Sequence, residues 1–406
     1  MLSILYPEIM NLVNRLPVGL LPVTVKADSV PKLIVKASKE LILTAKLRRG
    51  FSIHLIPYEI PGVKSIGFLA AFYDDPVHPY TTGGALIKEL SGRDFAKLFL
   101  SRQVDVHFFD ELGREMLAYR AEFKSTKKHR DMLRSAVIPS AAGLNQSAVI
   151  SALTDWFRLS TEQDDKDAIK VIFKEALIPE DIVHVDMRND THRYQGAPLV
   201  STIPLERPEP GEFQEKEIIA LLQRVFRPEQ IYLAPKRTYD REEVADVLVV
   251  TDKYVVVIQA KDSPNIERIV NNGIERKRKT SFKALVAAAG QVKGAIAYIR
   301  RPPSFAFLMG ADEVKVDLAG KELYSLVVIK ELFDVDYGGY SPAVLDVFAK
   351  TGIACIPLSY GELHQYTSHI HNEDEFFNAF MKVFEHGLEK GKFPRQIVLP
   401  AGSVVS

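Results

Sequence analysis

The chain has 406 residues, 47% hydrophobic and 26% charged, a balance that excludes disordered and fibrous proteins and a length that suits two domains. Its 52 Lys and Arg offset 52 Asp and Glu, so no global field marks a polyanionic partner and any nucleic-acid surface must be local. A single cysteine, Cys355, excludes disulfide frameworks and multi-cysteine metal sites; in the apolar run Gly352–Pro357 it is expected to be a small core residue.

Met1 to Leu21 is fairly apolar, but Glu8 and Arg15 interrupt it and Pro17 and Pro22 follow, so neither a secretory signal nor a membrane helix is expected. The expected setting is soluble and cytoplasmic, with no membrane partner.

Residues 1–195 read as an α+β domain. Val30 to Ala45 is β-branched and apolar, and Phe51 to Ile56 alternates as a strand does. Val104–Phe109 and Glu115–Arg120 flank Asp110-Glu-Leu-Gly113, a hairpin with glycine at hand for the turn. Thr126–Val137, Ala148–Leu159 and Asp164–Leu177 read as helices, the last with acids at its start. The histidines of this half (54, 78, 107, 129, 184 and 192) show no zinc-ligand spacing, and no motif reveals a role for it.

Residues 196–211 read as a linker: between Gln195 and Gly211 stand four prolines and two glycines. Residues 212–390 then show a sharper pattern, followed by a tail over 391–406. Phe213–Phe226 is an amphipathic helix. Ile231–Leu233, Val247–Val250 and Tyr254–Ile258 are strands, Ile274–Ile299 a long helix, and Leu326–Ile329 and Ile353–Ile356 buried strands around a Pro342–Lys350 helix. Glu373–Leu388 closes the domain, giving an α/β sandwich with a mixed central sheet.

Asp246 opens the second of these strands, and Gln259-Ala260-Lys261 ends the third. Side chains alternate along a strand, so Gln259 and Lys261 share a face, and a hairpin would bring Asp246 near them. A hard divalent cation needs oxygen ligands, which Asp246, the Gln259 amide and the Ala260 carbonyl can supply. Lys261 can then orient a water or meet charge developing on a phosphate.

Asp246 with Gln259-x-Lys261, on adjacent strands after a glutamate-bearing helix, resembles the PD-(D/E)xK (restriction-endonuclease-like) nuclease superfamily, especially its Mrr-type and NERD branch, where the central acid is replaced by glutamine. The resemblance implies a restriction-endonuclease-like domain with mixed sheet, a Mg²⁺- or Mn²⁺-dependent phosphodiesterase acting on DNA, and a role in defence against foreign DNA or in repair. It implies a glutamate on the first helix, Glu215 by its spacing from Ile218 and Leu222, with Glu217 second, and a polar residue on the long helix, Gln291. Cutting both strands would call for a homodimer. Gln259 departs from the acid of the strict pattern, which leaves as alternative an inactive nuclease-fold module that binds nucleic acid or protein.

From Lys261 to Arg301 ten Lys or Arg face three acids, and the run Arg276-Lys277-Arg278-Lys279 is expected to meet phosphates. No P-loop, dinucleotide-binding glycine motif or nucleophile elbow is present, and His369-Ile-His371 reads as a loop pair without companion ligands.

Overall fold

The computed structural model describes every residue except 17, 26–28, 76, 143, 302–304 and 396–406, and the side chain of residue 146. The N-terminal half is built on an eight-stranded sheet of β1 (Gly19–Val23), β2 (Lys32–Lys36), β3 (Gly50–Ile60), β4 (Val63–Phe72), β5 (Tyr80–Ala85), β6 (Gln103–Phe109), β7 (Glu115–Lys124) and β8 (Ile169–Ala176). Their order is β1-β2-β6-β7-β8-β3-β4-β5, with β2 parallel to β6 and every other pair antiparallel. The edge strands β1 and β5 touch, so the sheet curls on itself.

Against this sheet lies the helix Lys39–Arg48, in which Leu41, Ile42, Leu43, Thr44 and Ala45 are all buried. Five consecutive buried residues leave this helix little solvent face over its middle turns, as suits an element packed into a core. It ends at Arg49 in the left-handed region, and Gly50 then passes so close to Val171 that a Cβ would lie 2.0 Å from its carbonyl oxygen. Only glycine fits there. The Val30–Ala45 run thus divides into a strand and this helix.

The expected hairpin is formed by β6 and β7, with Gly113 at φ +78° and Asp110 accepting from the Leu112 and Arg114 N–H groups. The Asp164–Leu177 helix is not formed: a short helix, Glu162–Asp167, gives way to β8. Ile169, Val171 and Phe173 alternate inward, and pairing with β3 and β7 outweighs the helical reading.

The expected linker is ordered rather than loose. β9 (Val183–Asp186) pairs with β10 (Ser201–Pro204), and Arg207 exchanges backbone hydrogen bonds with Asn265. Beyond it stands a five-stranded sheet, ordered β11 (Ile231–Leu233), β12 (Val247–Val250), β13 (Tyr254–Lys261), β16 (Glu322–Ile329) and β17 (Cys355–Ser359). β13, β16 and β17 are parallel, while β11 and β12 run antiparallel, so this sheet is mixed.

The helix Gly211–Leu222 packs on β13, as does the long helix Ile274–Ile299, which lies beside the helix Tyr337–Thr351. The sequence reading omitted a hairpin of β14 (Phe305–Met309) and β15 (Asp312–Val316) and the helix Tyr360–Ser368. Cys355 is fully buried, and burial pushes its thiol up to about 12. Of the expected tail, Phe393 is buried in the core and residues 396–406 lie outside the described residues. No helix among the described residues is long and apolar enough to cross a membrane.

Candidate metal centre at the end of β13

β13 is the central strand of its sheet, and its last residues are Gln259, Ala260 and Lys261. The strand alternates as expected: Val256, Ile258 and Ala260 join one core cluster while Val255 and Val257 join another. Gln259 and Lys261 therefore share the second face. Because Val247 pairs with Ile258, the antiparallel register carries Asp246 to the position across from Gln259.

Asp246 is buried and its carboxylate is held from β13. Its Oδ2 accepts the Ala260 N–H at 2.6 Å. With the Gln259 amide turned so that both groups are satisfied, its nitrogen lies 3.1 Å from Asp246 Oδ1 and 2.9 Å from Oδ2. The glutamine thus donates to the aspartate it was expected to accompany as a metal ligand. N–H and C=O of one strand residue point the same way, so the Ala260 carbonyl also faces the β12 side.

The two helix glutamates stand in opposite surroundings. Burial pushes the Glu215 carboxyl up to about 8, with Asp246 and Glu243 adding repulsion and Lys261 opposing it. Asp246 is raised as well, first by burial and then by Glu243, against the Ala260 N–H and the Lys261 ammonium. Glu243 and Lys261 thus bear on both carboxyls, with opposite sign.

Glu217 faces elsewhere. Its Oε1 lies 2.7 Å from Lys39 Nζ and 2.7 Å from Arg114 Nη2, and its Oε2 3.4 Å from Arg207 Nη1. Burial works against its charge, yet these three cations hold the carboxyl at about 2.

Among the described residues no three or more His, Cys, Asp or Glu converge closely enough to hold a metal ion. The donors at this place are two carboxylates, an amide and a backbone carbonyl. Two carboxylates whose ionised forms are both disfavoured, in part by each other or by a third acid, form a site whose charge a divalent cation would relieve. The donor set fits a hard cation on that ground, provided the Gln259 amide turns its oxygen outward.

Gln291 is exposed on the long helix. The run 276–279 wraps around its helix rather than forming one surface: Lys277 pairs with Asp74 at 2.8 Å and Arg278 with Asp336. Arg276, Lys279 and Lys283 are exposed, and their spacing puts them on one face. His369 and His371 are exposed on either side of buried Ile370.

The sequence reading missed Glu243, three residues before Asp246, and the role of Asp262, immediately after Lys261. Asp262 is buried, which pushes its carboxyl up to about 6 against the pull of Lys330 and Arg207. Adjacency to the motif was the available signal for both.

No known protein family matches the sequence, and no curated protein matches it. Among solved structures the small subunit (R.BspD6I2) of the heterodimeric restriction endonuclease R.BspD6I is similar at 12% identity and a TM-score of 0.26, covering 45% of this chain and 86% of that one. A likeness of that size carries no argument about activity. The α/β class, with two large mixed sheets, is shown by this chain's own strands.

Proposed function

We propose that residues 212–390 form a restriction-endonuclease-like domain that hydrolyses DNA phosphodiester bonds with Mg²⁺ or Mn²⁺, in defence against foreign DNA or in repair. The observation that carries this reading is the Asp246 carboxylate held from the end of a central strand, at the Gln259-Ala260-Lys261 segment, with Asp246 and Glu215 both raised by burial. Asp246, Glu215 and the Ala260 carbonyl would hold the cation, joined by the Gln259 amide oxygen after it turns. The bound ion would supply Lewis acidity and lower the pKa of the attacking water.

Lys261 would donate to a phosphate oxygen as negative charge builds, and its ammonium needs no reorganisation to do so. Glu215, near 8 without the ion, would lose its proton as the ion binds, since ligation requires the carboxylate. Gln259 would release Asp246 and hold its orientation through the strand.

One observation favours a second reading. Both Asp246 oxygens already accept hydrogen bonds, and the Gln259 amide provides most of them. A platform of the same fold, binding nucleic acid without cutting it, would be stable in that state.

Thermal melting separates the two. On the catalytic reading, Mn²⁺ raises the melting temperature of the wild type and leaves Asp246→Asn unchanged. Indifference of the wild type to Mn²⁺ and Mg²⁺ would leave the platform reading in place.

A further inference from the structure

Two consecutive residues of the N-terminal half, Lys39 and Glu40, open the buried helix Lys39–Arg48 and leave its core at that end. Lys39 Nζ lies 2.7 Å from Glu217 Oε1 and 3.2 Å from Asp110 Oδ2, with its side chain 2% exposed. Arg114 bridges the same two carboxylates, at 2.6 Å from Asp110 Oδ2 and 2.7 Å from Glu217 Oε1. Glu217 is two residues from Glu215 on one helix, so the clamp on the first fixes the backbone that carries the second.

Glu40 reaches the other wall. Its Oε1 lies 2.9 Å from Lys330 Nζ, which is 3.6 Å from Asp262 Oδ1. The Lys330 N–H donates to the Lys261 carbonyl at 3.1 Å, and its ammonium donates to the Ser263 carbonyl at 2.9 Å. One helical turn from the N-terminal half thus touches the helix that bears Glu215 directly and reaches the end of β13 through Lys330.

The charge on Glu217 is not balanced from within residues 212–390. The cations paired with Glu217 are Lys39, Arg114 and Arg207, all outside that span. A buried carboxylate without them would turn toward solvent, and the helix bearing Glu215 would turn with it.

We propose that Lys39 and Glu40 are positioning residues that set the separation of Glu215 from the end of β13, so that the N-terminal half controls how tightly the centre takes a divalent cation. This rests on the metal-site reading of Asp246 and Glu215. Lys39 acts through Glu217, and Glu40 acts through Lys330 and Asp262.

The test is Mn²⁺ affinity of the full chain, measured by the electron-spin signal of free Mn²⁺, with melting temperature recorded beside it. Lys39→Met should weaken Mn²⁺ binding about tenfold, and Lys39→Arg should restore most of it. A merely structural Lys39 would lower the melting temperature of Lys39→Met and leave the affinity of the folded protein unchanged, which overturns the proposal. Should Lys39→Met not fold, Glu40→Gln applies the same test through the Lys330 arm, with equal affinity again the contrary result. Mn²⁺ uptake by the wild type that is lost in Asp246→Asn establishes the centre independently. No uptake by the wild type overturns the metal site and this proposal together, whereas uptake equal in wild type and the brace variants overturns this proposal alone.

Discussion

Glu215 and Glu217 are two residues apart and chemically opposite. Both lose water on folding, but Glu217 meets three cations and Glu215 meets Asp246 and Glu243, so the first is held at about 2 and the second pushed to about 8. An ordinary glutamate titrates near 4.3 in the unfolded chain. Native Glu215 therefore keeps its proton where the unfolded residue has lost it, and the protein pays a growing penalty as pH rises from about 4.5 to about 8. Metal-free Glu215→Gln should be more stable than the wild type at pH 8, and the difference should vanish toward about pH 4.5. Urea denaturation across that range in the presence of a chelator measures it; a difference that does not change with pH would contradict the placement of Glu215. The spacing of Glu215 from Ile218 was readable in the sequence. The partners of Glu217 were not, because Lys39 stands 178 residues away and Arg114 103.

At the scale of elements, strands buried on both faces and the long helix were legible because their patterns need no partner to be recognised. The observed helix bounds, Ile274–Ile299, equal the expected ones. The Glu162–Asp167 helix shows the opposite case. Acidic residues mark a helix start whatever its length, and only pairing of β8 with β3 and β7 determines where it ends. The basic run on the long helix is expected to meet phosphates, but four consecutive residues circle a helix and two of them are paired with Asp74 and Asp336. Arg276, Lys279 and Lys283 are exposed on one face, and under the proposed function this face would meet phosphates. Replacing all three by alanine should weaken DNA binding and lower its salt dependence by about one unit of slope per lost phosphate contact. Lys277→Ala should leave that slope unchanged. Equal slopes for the triple variant and the wild type, from titrations over a range of salt, would remove this face from the DNA interface.

At the scale of the whole molecule, zero net charge conceals a dense internal pairing. Lys39, Glu40, Asp110, Arg114, Arg207, Glu217, Asp262 and Lys330 draw together where the parallel strands β2 and β6 of one sheet, and β13 and β16 of the other, reach their C-terminal ends. Removing one partner from such a buried group costs roughly 3–5 kcal/mol, so the two halves are expected to hold a fixed relation. Composition could show neither this nor the ordered course of the residues read as a linker, since both depend on contacts between distant segments. The Asp246 and Gln259-x-Lys261 pattern was visible because hairpin register alone brings it together.

The most direct measurement is cleavage of plasmid and single-stranded DNA by the purified chain with Mn²⁺, Mg²⁺ or a chelator, comparing wild type with Asp246→Asn and Lys261→Ala. The expected result is cutting that needs the metal and falls at least about a hundredfold in each variant while folding is kept. Metal-dependent cutting that survives both substitutions would contradict the assignment of the centre to the end of β13.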